Sequence, residues 1–215
     1  MQSLFWNQSH QEFVLNDYHY YSKLNSFLKK KFLVKQGNFF RENLGPWDWL
    51  VLNYPEKSFT QAEQEKVLTY LKQGGSLIAT AYYQNEDGVA SILSQLFEPL
   101  GVVFRGDAVM GEDDTPNLYT SRVMKPFSSQ VEKVHFPCSC SLKVPEKAHP
   151  ILLAESGQKS NLTKENPLVL SAVLTVGSGK LFLMGTSVFW DNLCLESADN
   201  FYFLNALFQF GAEMS

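Results

Sequence analysis

Two short runs leave this chain little choice of architecture. Residues 49–52 (WLVL) and 76–81 (SLIATA) carry no charge and no polar–apolar alternation. Strands of that kind need cover on both faces, the situation of a parallel strand flanked by helices. The segment between them supplies such a helix. Thr60, with Glu63 three residues on, forms a capping box, and Val67, Leu68 and Leu71 mark a buried stripe. Gly74 and Gly75 then close the helix, so the spacing predicts it over 60–73. Strand, helix and strand in immediate succession make a βαβ unit with its two strands central and parallel.

The same alternation fills the first hundred residues. The stretch LFWNQSHQEF (4–13) opens as a strand and breaks after Trp6 into a polar loop. Residues 20–31 place Tyr21, Leu24, Phe27 and Leu28 at helical spacing, and end on Lys29, Lys30 and Lys31, where the helix dipole favours cations. A short apolar run follows at 32–34. Residues 89–100 read as a helix burying Ile92, Leu93, Leu96 and Phe97, after which Val102, Val103 and Phe104 are expected to resume the sheet.

Residues 105–167 form a loop-rich insertion. Within it Val134, Phe136, Cys138, Cys140, Leu142 and Val144 share one face of a half-buried strand, and Pro137 argues for an edge position. Two strands at 168–176 and 180–184 flank Gly177, Ser178 and Gly179, a hairpin signal. A last helix at 199–211 sets Phe201, Leu204, Leu207 and Phe208 along one side. The expected fold is α/β and flavodoxin-like (Rossmann-like): a mostly parallel sheet with helices on both faces, plus a C-terminal β-hairpin and a final helix, in a single domain over 1–215.

Charge and composition exclude several classes of function. The formal net charge of −4 and a pI near 5.6 argue against a nucleic-acid partner. No apolar stretch is long enough to span a bilayer and the N-terminus lacks a signal peptide, so a cytoplasmic protein without membrane insertion is expected. Three cysteines suit a reducing compartment. Cys138 and Cys140, inward on one strand face, behave as small hydrophobes rather than zinc ligands, and Cys194 has no base beside it. His19, His135 and His149 have no metal-site spacing. Neither a metal nor a cofactor is expected. Glu86 and Asp87, like Asp113 and Asp114, are expected to occupy solvated turns.

The ordered set LFWNQSHQEF, WDWLVLNYPEKSFTQAEQEKVLTYLKQGGSLIATAY, AHPILL, GSGKLFLMGTSVFWDN and DNFYFLNALFQF resembles class I glutamine-amidotransferase-like domains. More narrowly it resembles the DUF4350 and GIFT-type branch, found also at the start of an intraflagellar-transport subunit and in auxiliary proteins of gliding-type transporters. The resemblance implies a flavodoxin-like sheet used for binding or assembly. It also carries two departures. Amidotransferases set a cysteine on the elbow after the Gly-Gly strand, where residues 79–83 here read ATAYY. The branch often has an acid near the end of the first strand, where this chain has Asn7.

Open α/β sheets bind ligands beyond the carboxyl ends of their strands. The strand ends expected here present Asn7, Ser9 and His10; Asn53 and Tyr54; Tyr82 and Tyr83; and Thr186, Ser187, Asp191 and Asn192. Amides, hydroxyls and rings of this kind suit a neutral polar molecule, sugar-like, or a protein partner. Asn7 and His10 are expected to face Thr186 and Ser187 across the crevice. The leading expectation is a non-catalytic binding domain. Its rivals are a hydrolase with His10 as base beside Asp191 or Ser187, and an assembly subunit, in this case a possible homo-oligomer, that uses Tyr18, Tyr20, Tyr21, Phe39 and Phe40 as an exposed contact patch.

Overall fold

The central βαβ unit forms in register. In the computed structural model, which describes residues 1–41 and 47–212, Trp49 pairs with Ser76 and Asn53 with Thr80 across two parallel strands. The elements run β1 (Gln2–Asn7), α1 (Tyr18–Lys31), β2 (Phe32–Gly37), β3 (Trp49–Asn53), α2 (Gln61–Lys72), β4 (Ser76–Thr80) and α3 (Val89–Leu96). Short strands follow: β5 (Val103–Phe104), β6 (Val109–Met110), β7 (Tyr119–Thr120), β8 (Val134–His135), β9 (Leu142–Lys143), β10 (His149–Leu153) and β11 (Lys159–Ser160). The chain closes with β12 (Val169–Val176), β13 (Gly179–Met184) and α4 (Asn200–Ala212).

The main sheet is nine-stranded, in the order β2-β1-β3-β4-β13-β12-β9-β5, with β10 also paired to β12. Pairings from β2 to β13 are parallel, and those beyond β13 antiparallel. Successive strand residues feed opposite faces. Leu4, Trp6, Trp49, Val51 and Phe182 pack with Leu24, Leu28, Leu204 and Leu207 of α1 and α4. Phe5, Leu50, Leu52, Leu77 and Leu181 pack with Val67, Leu71 and Leu93 of α2 and α3. Every residue of β3, β4 and β13 is buried, which is why those runs show no alternation.

The helix signals hold with small shifts. Thr60 caps α2 and the box with Glu63 is complete, although Leu68 is only half-buried. The first helix starts at Tyr18, because Asp17 accepts hydrogen bonds from the backbone N–H groups of His19 (2.9 Å) and Tyr20 (3.1 Å). The 89–100 segment divides into α3 and a 3₁₀ turn over Glu98–Leu100, at Pro99. In α4 the buried stripe is Phe203, Leu204, Leu207 and Phe208; Phe201 is 40% exposed.

Three expectations are corrected. Val103 and Phe104 resume the main sheet as expected but not its parallel core: β5 is the far edge strand, antiparallel to β9. The place beside β4 belongs to β13, a longer strand returned by the hairpin at Gly177 and Ser178. The 134–144 segment is not one alternating edge strand. Val134 and His135 pair with β7, while Leu142 and Lys143 lie between β12 and β5. Between them Pro137 has no N–H to give a ladder, and Cys138 takes a left-handed φ of 51°, so the alternation loses phase. Cys140 is buried, but Cys138 is half-buried. The aromatic patch is also narrower than expected, since Tyr21 and Phe39 are buried, each 3% exposed.

Candidate functional site

The loops leaving β1, β3, β4 and β13 meet around a cavity of about 350 Å³. Phe13 comes from the loop after β1, Tyr20 and Tyr21 from the start of α1, and Tyr54 from the residue after β3. Tyr82, Glu86 and Asp87 follow β4, and Ser187, Val188 and Asp191 follow β13. The sheet order places β1 and β3 side by side with their successors on opposite sides, so this is the carboxyl edge beside the topological switch.

Hydrogen bonds between neighbouring strand ends fix the aromatic wall. Asn53 Nδ2 donates to the Tyr21 hydroxyl (3.1 Å), Thr80 Oγ1 donates to Asn53 Oδ1 (2.8 Å), and the Tyr54 N–H donates to Thr80 Oγ1 (3.2 Å). Trp6 Nε1 donates to the Phe13 carbonyl (2.8 Å) and holds that loop down. The rings follow one another at contact range: Phe13 to Tyr54 at 4.8 Å, Tyr54 to Tyr82 at 5.6 Å and Tyr20 to Tyr21 at 6.4 Å between centroids. The Tyr54 hydroxyl donates to Asp87 Oδ2 at 2.9 Å. Burial raises the Tyr21, Tyr54 and Tyr82 hydroxyls above the ordinary phenol range, so these rings stay neutral.

Asp191 is 7% exposed, and its Oδ1 accepts from the N–H groups of Leu193 and Cys194, both at 2.8 Å. Burial nevertheless raises its pKa from the ordinary carboxylate value. The neighbouring Cys194 thiol, desolvated and facing Asp191, is pushed up to about 12. The rim is conformationally strained. Tyr54 (φ 61°), Gln84 (57°), Asn85 (50°) and Asp87 (52°) all occupy the left-handed region, at a cost on the order of 1 kcal/mol each.

Of the residues expected from the sequence, Tyr54, Tyr82, Ser187 and Asp191 reach the cavity. Asn53 stands behind it as the link between Tyr21 and Thr80. Thr186 is buried and its Oγ1 accepts from Val188 N (3.1 Å), which shapes the loop. Tyr83 packs against Tyr82 at 4.9 Å without lining the cavity. Asn192 has a positioning role: its Nδ2 donates to the Tyr18 (3.0 Å) and His19 (2.7 Å) carbonyls, and its N–H donates to the Tyr20 carbonyl (2.7 Å). That pins the first turn of α1, with Tyr20 and Tyr21, to the loop after β13.

Asn7, Ser9 and His10 do not face Thr186 and Ser187. Asn7 is fully buried, bonded to Glu12, Ser9 and the Phe39 N–H. The His10 ring stacks on Phe59 at 3.9 Å, and its Nε2 lies 3.4 Å from Glu63 Oε2 at the start of α2. Neither Phe59 nor Glu63 lines the cavity. The 2.9 Å contact of Ser9 Oγ with His10 Nδ1 is not an activated hydroxyl either. Ser9 Oγ donates to Asn7 Oδ1 (3.0 Å), and neither Ser9 nor His10 lines the cavity. Residue 10 follows a buried strand as the topology requires, but the loop folds its ring back onto α2.

Phe13, Tyr20, Tyr21, Glu86, Asp87 and Val188 line the cavity without having been singled out for it. A signal existed for the two acids. They lie a few residues beyond Tyr82 in the loop that leaves a central parallel strand, the place where such sheets gather ligand-facing groups.

Known proteins place the chain in a family and a fold. It is 31% identical over 216 residues to an uncharacterized protein of Aquifex aeolicus (strain VF5), with 94% of this chain and 91% of the relative covered. The mmIFT52 N-terminal domain superposes with a TM-score of 0.84 over 97% of each chain, at 19% identity. A cytoplasmic protein from Salmonella typhimurium gives 0.63 over 98% of each chain, at 14% identity. At such identities the two structural likenesses are of fold alone. Residues 41–208 match the family described as a domain of unknown function, DUF4350, and with most of its length inside that match the chain belongs to the DUF4350 family.

Proposed function

We propose that this domain is a non-catalytic binding domain that takes a polar small molecule in the strand-end cavity, on a flavodoxin-like, glutamine-amidotransferase-like scaffold without the amidotransferase nucleophile. The observation that carries the reading is the cavity itself: an aromatic wall held by buried hydrogen bonds, with polar groups at its rim and strained backbone around it. Residues 79–83, where the nucleophile would stand, contain no thiol. Against the hydrolase alternative stands the position of His10, enclosed by Phe59, Phe40 and Glu63 and outside the lining that holds Ser187 and Asp191.

Two measurements test this. Incubation with glutamine is expected to release no ammonia above buffer, and turnover abolished by a substitution at His10 would refute the reading. Ligand screening by chemical-shift perturbation is expected to move resonances of Tyr54, Tyr82 and Ser187. Hits confined to another surface would refute it equally. Assembly through the outer face remains the second reading, because Tyr18 (77% exposed) and Phe201 (40%) line one groove between α1 and α4. Sedimentation showing an oligomer broken by Tyr18→Ser would favour it.

A further inference from the structure

The charged residues that line the cavity are all of one sign. Glu86, Asp87 and Asp191 bring three carboxylates to its lining, and no lining residue carries a positive charge. Glu56 stands close enough to Asp87 for their repulsion to raise its pKa, though burial contributes more. Lys23 is the cation that acts on Asp191, but its ammonium is engaged by Glu196. A phosphate or carboxylate entering here would meet like charges at Glu86 and Asp87 and no cation in the lining. A bare metal ion is no better suited. Among the described residues no three His, Cys, Asp or Glu side chains stand together as a metal site.

The walls point the same way. Phe13, Tyr20, Tyr21, Tyr54 and Tyr82 contribute five rings, and the face of an aromatic ring is the negative pole of its quadrupole. The Tyr54 hydroxyl is not free for an anion, since it donates to Asp87. Aromatic rings beside carboxylates make a lining of the kind that recognises an ammonium group by cation–π attraction and charge. Asp191 sharpens the case. It is a nearly buried carboxylate whose Oδ1 is held by the backbone N–H groups of Leu193 and Cys194, and its burial disfavours the ionised form.

We propose that the cavity takes an organic ammonium group, a primary or methylated amine, seated among Tyr20, Tyr21, Tyr54 and Tyr82 and paired with Asp191 and the Glu86 and Asp87 rim. This rests on the reading that the strand-end cavity is a ligand site, and it assigns that ligand a charge opposite to the lining. A volume of about 350 Å³ admits a small amine and excludes a large cofactor.

Calorimetric titration tests the assignment with four probes: choline, methylammonium, the neutral choline isostere 3,3-dimethyl-1-butanol, and galactose. Choline is expected to saturate the protein and to bind at least about tenfold more tightly than its isostere. The double variant Glu86→Gln with Asp87→Asn, both at exposed positions, is expected to weaken choline about tenfold and leave the isostere unchanged. Tyr82→Leu is expected to weaken both ammonium probes. An isostere that binds as well as choline overturns the proposal. Galactose saturating in a Tyr82-dependent manner, with both ammonium probes silent, overturns the charge assignment while leaving the cavity as a ligand site. Silence from all four probes, or binding indifferent to Tyr82→Leu, removes the cavity reading as well.

Discussion

Thr60→Ala isolates the capping box at the start of α2. The Thr60 hydroxyl accepts from the Glu63 N–H at 3.3 Å and donates to Glu63 Oε2 at 2.8 Å, while the Thr60 N–H donates to the same oxygen at 2.8 Å. Alanine removes the first two bonds and keeps the third. The position is exposed, so water can reach the freed N–H, which sets the loss near the middle of the usual range for a cap, about 1 kcal/mol. Glu63 Oε2 also faces His10, so the hydroxyl steadies a carboxylate that has a second partner. For a chain of this size that loss corresponds to a fall in Tm of about 2–4 °C. Urea melts at neutral pH, with Thr60→Ser as the control that keeps the oxygen, measure it directly. Wild-type stability in Thr60→Ala, or an equal loss in Thr60→Ser, would refute the reasoning.

Three further outcomes are expected. Gly179→Ala would place a Cβ 2.2 Å from the Leu71 carbonyl oxygen and 2.3 Å from that of Gly75, and should cost about 3 kcal/mol or more in a denaturant melt; a near-wild-type midpoint would show that the hairpin does not seat against α2. His10 is held below its usual pKa of 6.5, chiefly by burial, so folding favours the neutral ring. Its contribution is therefore complete above pH 6.5 and declines as pH falls through the folded value. Melts between about pH 7.5 and 5.5 should show wild type losing stability relative to His10→Gln, and parallel curves would contradict the assignment. The buried Glu12, whose pKa is raised, works in the opposite sense and is common to both proteins. Finally, a thiol reagent should modify the half-buried Cys138 before Cys140 and Cys194, both buried and pushed up to about 12; mass spectrometry of the early adducts decides the order.

The parts of the fold written in short-range pattern were legible in the sequence. The runs at 49–52 and 76–81 announce buried strands because no polar residue is tolerated on either face. The Thr60 box and the glycines at 177 and 179 are local chemistry. What sequence pattern could not convey was partnership at long range. Order along the chain puts Val103 and Phe104 next after β4, yet it is β13 that pairs with β4. The alternation at 134–144 was real in composition, yet a single left-handed residue at Cys138 undid its register. The site was legible by strand end, through Tyr54, Tyr82, Ser187 and Asp191. It was not legible where a loop doubles back, as His10 does, or where a helix start swings in from a neighbouring strand, as Tyr20 and Tyr21 do.

The order of the sheet has a consequence for how the chain is made. β13, parallel to β4 and antiparallel to β12, follows the whole insertion in the chain, yet it lies between β4 and the insertion-bearing half of the sheet. Until residue 184 has emerged, the nascent chain holds β4 with one edge bare, and every residue of that strand is one the finished protein buries. Such an edge is a template for strand addition from another chain. The long span between β4 and its partner also makes closure of the sheet a slow, non-local step. Synthesis halted within the insertion is therefore expected to leave an aggregation-prone half-sheet, a state that ends when the hairpin turning at Gly177 and Ser178 docks.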